Sequence, residues 1–419
     1  MPKIIISTYI LSKWMHILPF ENICFFLSGW LSYDFTFTED IFRNDIVGNN
    51  FMDKLKFPKD LDRRCNQKLD NHIGYLSIHV PEELIIAAGK IPYRILGSEK
   101  PAKKATVHLP KTFDPYVLAC LEGALEGNYQ SLDGVIISNI SDAHRRLYDV
   151  WKSAVNSQPV FMLDVPKGSD SLRKKCFRSG ISHLKHGMEK AFDVEITDER
   201  LNLAIELCNE TRLLLKKLGE QRNLNSCPFP ASDFFKIIRW SQTEEKKIVN
   251  DKITEYLEAI EKRQECHKDE TDHEKPRIMI IGSPMVSPDI ISAIEEKNAK
   301  VVCEDLCIGM PYFKSLVNQT ANTPLESLAN RYLTIPTSRM VDTEARWKSI
   351  MESAEESRTD GIIYFTLKFD DIHLFEYPYI RDKLQKEGYP VLFIEAENFL
   401  TTMGQIDTRI DAFIEMLEG

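Results

Sequence analysis

The sequence lacks the short motifs that mark the commonest nucleotide and zinc sites. Its 419 residues contain no Gly-x-Gly-x-x-Gly or Gly-x-x-x-x-Gly-Lys loop, no Cys-x-x-Cys pair and no His-Glu-x-x-His helix. Glycine-rich loops let backbone N–H groups cradle phosphates, and closely spaced cysteines or histidines can surround a zinc ion. Neither a standard nucleotide loop nor a standard zinc site is therefore predicted.

Long apolar runs and disulfide-type cysteine spacings are absent as well. No segment approaches the roughly 18 apolar residues that a membrane-spanning helix needs. The apolar first 31 residues are interrupted by Lys13, Pro19 and Glu21 and show no small-residue cleavage site, so we expect a packing or oligomer-facing helix there and no membrane partner. The nine cysteines are scattered, which is typical of a cytoplasmic protein.

An excess of positive charge is also missing. The chain has 53 Lys and Arg against 63 Asp and Glu, a net charge of −10, which argues against nucleic acid as a partner. With 43% hydrophobic and 28% charged residues, the composition is that of a globular protein, and 419 residues are too many for one core. More than one domain is expected.

Short β-branched runs alternate with segments of helical periodicity. Continuous apolar strands of this kind are typical of parallel sheets covered by helices on both faces. The sequence therefore predicts an α/β protein with two doubly wound, Rossmann- or flavodoxin-like domains and a helical insertion between them. The predicted strands are Val135–Ser138, Val160–Pro166, Arg277–Pro284, Lys300–Asp305, Gly361–Thr366 and Pro390–Glu397.

The same alternation predicts four parts of the chain. Residues 1–70 are expected to form an atypical helical extension and residues 71–170 the first α/β domain. Residues 171–270 contain the helical segment and a polar linker, and residues 271–419 form the second α/β domain. Ligands of parallel sheets bind outside the carboxyl ends of the strands, so the residues that follow the strands are the candidates for a site.

Three groups of polar residues follow predicted strands or open predicted helices. Asp370 and His373 have the Asp-x-x-His spacing, which allows two ligands to a divalent ion, an acid/base pair, or a solvated helix cap. Asp114 precedes a proline and Ser141 precedes a charged helix, positions at which a helix N-cap alone is a sufficient explanation. Ser283 lies at the tip of a strand beside a glycine, where an anion can bind.

Four segments together resemble the 2-hydroxyacyl-CoA dehydratase and benzoyl-CoA reductase family. The first contains the "AAG" turn of "GYLSIHVPEELIIAAGKIPYRILG", and the second contains "FDPY" and "NISD". The resemblance covers most of the chain from about residue 70, and the combination of motifs is specific. The segments are Gly74–Gly97, His108–Trp151, Arg277–Phe313 and Asp360–Leu417.

The resemblance implies a pair of homologous subunits, as a heterodimer or a homodimer, that acts on acyl-CoA. It further implies a [4Fe–4S] cluster held by three cysteines and an ATP-dependent activator protein that supplies one electron. Cysteine thiolates suit iron because they are soft, charged donors. In this chain the three cysteine positions of the family are occupied by Asp114 in "FDPY", Ser141 in "NISD" and Asp370 in "KFDD".

Four hypotheses follow from the replacement of this whole set. The chain is a cluster-free subunit that completes a dimer and shapes the acyl-CoA pocket, or it holds iron through an altered set, Cys120, Cys303 and Cys307. Alternatively, Asp114, Ser141 and Asp370, with His373, form a redox-independent site for a divalent metal or for acid/base catalysis. Lastly, the chain is a binding or regulatory protein that keeps the fold.

Five residues in the family-like segments are further candidates for contact with substrate. His79 and Glu82 belong to the first segment, where Ile78 stands in place of the hydroxyl residue that relatives often carry. The others are Ser283 at the strand tip and two residues of "GQIDTR", Gln405 and Arg409. For Arg409 a structural salt bridge is an equal alternative.

Overall fold

The structure is a computed structural model that describes residues 69–98, 100–155, 158–222, 230–266, 275–338, 343–397 and 403–419. The predicted amino-terminal extension, except for its last two residues, and most of the predicted linker lie outside the described residues. Within the described ranges, no helix combines the length and apolarity needed to cross a membrane.

The first sheet has four parallel strands in the order β2-β1-β3-β4. Its strands are β1 (His72–Tyr75), β2 (Ile91–Arg94), β3 (Gly134–Ser138) and β4 (Val160–Leu163). Every residue of β3 is buried, as expected for a strand with helices over both faces. The helices of this part are α1 (Glu82–Ala87), α2 (Ala105–His108), α3 (Pro115–Leu125) and α4 (Asp142–Ala154).

The predicted helical segment consists of four helices between the two sheets in sequence. These are α5 (Ser171–Phe192), α6 (Asp198–Arg222), α7 (Ala231–Ser241) and α8 (Lys246–Cys266). Helix α6 packs against both α8 and α1, so the helical insertion contacts the short helix that follows β1.

The second sheet repeats the pattern of the first, with four parallel strands in the order β6-β5-β7-β8. Its strands are β5 (Arg277–Gly282), β6 (Lys300–Leu306), β7 (Gly361–Leu367) and β8 (Val391–Ala396). Its helices are α9 (Asp289–Glu296), α10 (Pro324–Leu333), α11 (Thr343–Glu356), α12 (Asp371–Lys386) and α13 (Met403–Glu418), and a 3₁₀ turn covers Met310–Tyr312. The predicted α/β fold with two parallel sheets is confirmed.

The six predicted strands are all present, but β1 and β2 were missed. Each has only four residues, and each is interrupted by a poor strand former, Gly74 in β1 and Pro92 in β2. Proline lacks the N–H that a central strand donates, and β2 is accordingly an edge strand. The domain boundaries at residues 70, 170 and 270 stay predictions.

In each sheet the strand order reverses between the two central strands. These are β1 and β3 in the first sheet and β5 and β7 in the second. Such a reversal of strand order opens a crevice at the carboxyl ends of the central strands. The segments that follow β1, β3, β5, β6 and β7 all contribute to one cleft, through Leu76, Ile140, Pro284, Cys307 and Asp370.

Candidate functional site

The cleft contains two adjoining pockets. The inner pocket has a cavity volume of about 80 Å³ and the outer pocket about 670 Å³. Both are lined by Asp114, Ile140, Ser338, Asp370 and Ile372, so these side chains stand at the junction of the two. Two of the three positions at which the family resemblance implies cysteine therefore lie where the pockets meet.

Asp370 is held in place by two side chains. It occupies the N-cap position of α12, yet its carboxylate makes no capping hydrogen bond. Instead, Oδ2 accepts from Ser283 Oγ at 2.6 Å and from His373 Nδ1 at 2.6 Å. Ser283 Oγ in turn accepts from the backbone N–H of Leu367 at 3.0 Å. Phe369, one residue earlier, has a left-handed φ of 71°, the kind of backbone strain that clusters at functional sites.

Asp370 and His373 form an ion pair whose charges stabilise one another. Burial acts to raise the pKa of Asp370, but the neighbouring His373 outweighs it and the pKa is lowered. Burial acts to lower the pKa of His373, but the Asp370 carboxylate outweighs it and the pKa is raised. The predicted Asp-x-x-His spacing therefore brings the two side chains into contact, and their role stays a prediction.

Asp114 lies beside that pair, and its pKa is shifted in the direction opposite to that of Asp370. Its Oδ1 accepts from the backbone N–H of Tyr116 at 2.9 Å, which caps α3 as the sequence predicted. Burial, together with the negative charge of Asp370, raises the pKa of Asp114 to about 8. Two carboxyl groups in one site cannot both ionise easily, so Asp114 carries a proton at neutral pH.

Ser141 caps the helix that follows β3 and lines only the outer pocket. Its Oγ accepts from the backbone N–H of His144 at 3.2 Å and lies 2.8 Å from His144 Nδ1. The N-cap interpretation is thus sufficient for Ser141, whereas Asp114 and Asp370 also face the cavity that both pockets share.

These side chains do not fit a thiolate-held iron cluster. Within the described ranges, no group of three or more His, Cys, Asp or Glu side chains is arranged to hold a metal ion. The alternative cysteine set is brought together only in part. Cys307 packs against the apolar core cluster that contains Cys120 and interacts with it electrostatically, whereas Cys303 lies in another cluster. Cys307 alone of the three lines the inner pocket.

The other predicted contacts divide between the cleft and other parts of the structure. His79 lines the inner pocket, where its Nδ1 lies 2.9 Å from the carbonyl oxygen of Tyr332. Glu82 lines neither pocket, because it is buried in an ion pair with Lys246 at 3.1 Å. Gln405 and Arg409 are exposed on α13, and Arg409 donates to the carbonyl oxygen of Phe393 at 2.6 Å.

Sequence reasoning missed two arginines that line the inner pocket. Arg346 is paired with Asp305 at 2.5 Å and with Glu376 at 3.3 Å. Arg94, the last residue of β2, is 2% exposed, and its Nη2 lies 3.7 Å from Cys307 Sγ. Had β2 been recognised, the position of Arg94 at its carboxyl end would have been the signal.

Comparison with known proteins identifies relatives along nearly the whole described chain. The family described as 2-hydroxyglutaryl-CoA dehydratase, D-component, matches residues 77–417. The (R)-phenyllactyl-CoA dehydratase beta subunit of Clostridium sporogenes is 27% identical, over 89% of this chain and 99% of that protein. A benzoyl-CoA reductase subunit of Thauera aromatica is 26% identical, over 78% of this chain and 86% of its own length.

A third relative agrees with these two. The (R)-2-hydroxyglutaryl-CoA dehydratase beta subunit of Acidaminococcus fermentans is 24% identical, over 86% of this chain and 96% of its own length. The matched lengths are those of whole subunits, and the resemblance recognised in the sequence is confirmed.

Proposed function

The chain belongs to the 2-hydroxyglutaryl-CoA dehydratase D-component family, and we propose that it is the subunit of a 2-hydroxyacyl-CoA dehydratase or benzoyl-CoA reductase type of enzyme that holds no [4Fe–4S] cluster. In this role it pairs with a homologous subunit and shapes the acyl-CoA pocket. The observation that carries the proposal is the set of oxygen side chains, Asp114, Ser141 and Asp370, at all three expected cysteine positions.

The contacts of these side chains support the absence of a cluster. Ser141 is used as a helix cap, and the Asp370 carboxylate already accepts from Ser283 and His373. The Asp114 carboxyl group accepts from the backbone N–H of Tyr116 as the cap of α3. Aspartate and serine are also hard oxygen donors, which iron–sulfur clusters do not commonly use.

The outer pocket supports a role in binding acyl-CoA. It is much larger than the inner pocket, and its lining contains two exposed cations, Arg145 and Lys167, together with the exposed carboxylates Asp142 and Asp371. Cations at the mouth of a pocket attract phosphate groups such as those of coenzyme A. A homologous partner subunit agrees with the names of the relatives, which are subunits of dehydratases and of a reductase.

The test is the iron and acid-labile sulfide content of the chain purified without oxygen. We expect no stoichiometric iron and none of the broad visible absorbance of a cluster. A stoichiometric cluster in the wild-type chain would overturn the proposal. As a positive control, the triple variant Asp114→Cys, Ser141→Cys, Asp370→Cys is incubated with iron and sulfide, and it should take up more iron than a matched Arg145→Cys variant.

The partner is tested by co-expression with a cysteine-complete relative from the same genome. The two chains should copurify in equal amounts, and the cluster should be found in the partner when each is isolated alone. Failure to associate with any cysteine-complete relative of the same genome would contradict the partner role.

A second candidate is acid/base catalysis in the cleft without redox chemistry. It is favoured by the opposite pKa shifts of the Asp114 and Asp370 carboxyl groups. At neutral pH Asp114 can donate a proton, while Asp370 and His373 hold a proton between them. A protonated acid beside an ionised partner is the arrangement used for proton transfer. If the chain turns over an acyl-CoA substrate without an electron donor, and Asp114→Asn abolishes this, the second candidate is favoured over the first.

A further inference from the structure

Arg94 is a buried cation without an anion. Only 2% of it is exposed, and its Nε and Nη1 atoms have no hydrogen-bond partner among the described residues. No carboxylate of the described chain forms an ion pair with it. Burying a charge without a partner is unfavourable, so an anion that binds here is attracted by a charge that no carboxylate of the described chain neutralises.

The groups beside Arg94 do not neutralise it. Its Nη2 lies 3.7 Å from Cys307 Sγ, its guanidinium lies 5.4 Å from the centre of the Tyr75 ring, and the Tyr116 phenol is close by. Thiols and phenols are ordinarily protonated at neutral pH. The guanidinium itself does not lose its proton in proteins. Arg94 therefore keeps its positive charge.

The ionised carboxylates of the inner pocket each have a cation in contact. Asp370 is paired with His373, and Arg346 is shared by Asp305 and by Glu376, which lies behind it and does not line the pocket. Asp114 is held in its protonated form by burial and by Asp370. A small anion therefore meets attraction from Arg94 without an unpaired, ionised carboxylate in the lining to oppose it.

We infer that the inner pocket is a binding site for a short-chain carboxylate, with Arg94 as the counter-charge that the ligand's carboxylate group contacts. The planar guanidinium donates in parallel to both oxygens of a carboxylate. Thr337, whose Oγ1 also lacks a partner among the described residues, lines the same pocket and can donate a further hydrogen bond.

The size of the pocket limits the rest of the ligand. An apolar cavity of roughly 150 Å³ is what a benzene ring occupies, and the inner pocket has about 80 Å³. A chain of a few carbon atoms fits within the inner pocket, whereas a phenyl ring exceeds it and would have to extend into the outer pocket.

The experiment uses the full chain and three probes, propionate, propionamide and benzoate, at matched ionic strength. Calorimetric titration and the shift in Tm should show binding of propionate alone, because propionamide lacks the charge and benzoate exceeds the cavity. Equal binding of propionate and propionamide, or no binding of propionate, would overturn the inference. Tight binding of benzoate would overturn the limit on size.

Two variants assign the binding to Arg94. Arg94→Met keeps the bulk of the side chain and should weaken propionate binding by roughly tenfold or more, since a charged hydrogen-bonding partner is lost. The control is Arg381→Met, an exposed arginine paired with Asp382, which should bind propionate as the wild type does. Propionate binding by Arg94→Met at the wild-type affinity would overturn the inference.

A milder change guards against a variant that does not fold. Thr337→Val is nearly isosteric and should weaken propionate binding by a factor of about 3 to 10 while the protein stays folded. An unchanged affinity would remove Thr337 from the site and contradict the proposed contact. None of these measurements depends on iron content, so they can fail independently of the proposed function.

Discussion

The α1 cluster and the cleft both contain buried ionisable groups, but only in the cleft is one of them left without a partner of opposite charge. The α1 cluster consists of Glu82 and Glu83 with their partners, Arg212, Lys246 and Tyr332. Here each carboxylate has a cation in contact, Arg212 at 2.7 Å from Glu83 and Lys246 at 3.1 Å from Glu82. The cleft also contains the pairs Asp370–His373 and Asp305–Arg346, but Arg94 forms no ion pair with any of the described residues, and Asp114 is held in its protonated form.

The difference distinguishes charges that hold the fold together from charges that are available for chemistry. Although burial acts to raise it, the pKa of Glu83 is lowered by Arg212 and then by Arg331. The pKa of Asp114 is raised to about 8 because burial and the charge of Asp370 outweigh the influence of His373. Groups whose charge is left unbalanced in a cleft are the better candidates for function.

The largest expected effect is the loss of one partner in the α1 cluster. Glu83→Ala leaves Arg212 charged, buried and without its carboxylate, so we expect the free energy of unfolding to fall by about 3–5 kcal/mol. Urea denaturation measures this. The double variant Glu83→Leu with Arg212→Leu should recover much of the loss, because no isolated charge remains. If Glu83→Ala costs no more than a surface substitution, the cluster is not structural.

The Asp370–His373 pair should show a smaller effect with a defined pH range. In the wild type the pair stabilises the fold above the lowered pKa of Asp370 and below the raised pKa of His373. Stability from Asp370 is lost as the pH falls through its pKa, and stability from His373 is lost as the pH rises through its pKa.

Asp370→Asn should therefore cost about 1.5–3 kcal/mol near neutral pH, the value of a hydrogen bond between charged groups. In this variant the pKa of His373 should fall, because burial remains and the carboxylate is gone. NMR titration of the histidine ring measures the change. His183, exposed on α5 and distant in sequence, is the internal control and should titrate as before. An unchanged His373 would contradict the pairing.

Asp114 should respond to pH with the opposite sign. Its folded pKa of about 8 exceeds the ordinary value, so the folded chain binds more protons than the unfolded chain between about pH 4 and pH 8. Stability from this residue is thus fully present below the ordinary pKa and declines as the pH rises toward 8. Asp114→Asn keeps the helix cap and removes this decline.

We expect Asp114→Asn to be more stable than the wild type at pH 8 by on the order of 1–2 kcal/mol, a value reduced because Asp114 is only half-buried. The difference should become small near pH 5, where the wild-type carboxyl is protonated in the folded state. Parallel unfolding curves at the two pH values provide the test. A variant that is equally stable or less stable at pH 8 would show that Asp114 is not held in the protonated form.

The sequence was sufficient for the features that depend on local spacing. The six predicted strands, the caps at Asp114 and Ser141 and the Asp370–His373 contact all involve residues within a few positions of one another. Glu83 and Arg212 are 129 residues apart, and Glu82 and Lys246 are 164 residues apart. Such pairs are fixed only by how helices pack, so Glu82 was assigned to substrate instead of to a structural ion pair.

Arg94 was missed for a related reason. Its strand is four residues long and contains a proline, and its lack of a partner is visible only once every neighbouring side chain has been placed. The three positions at which the family resemblance implies cysteine could be identified from the sequence, because each lies inside a short motif of a few residues. The state of each side chain at those positions, protonated, paired or capping, required the fold.

The smallest expected effect concerns Ser141, which separates a capping role from a role in the cleft. Ser141→Ala removes the acceptor for the His144 backbone N–H and should cost about 1 kcal/mol, the usual loss at an N-cap. Ser141→Asp keeps an acceptor and should restore most of that stability. Both variants should leave propionate binding unchanged, because Ser141 lines only the outer pocket. If Ser141→Ala changes that binding, the outer and inner pockets act as one site. Ser141 would then share the role of Asp114 and Asp370 in the cleft and would not be a helix cap alone.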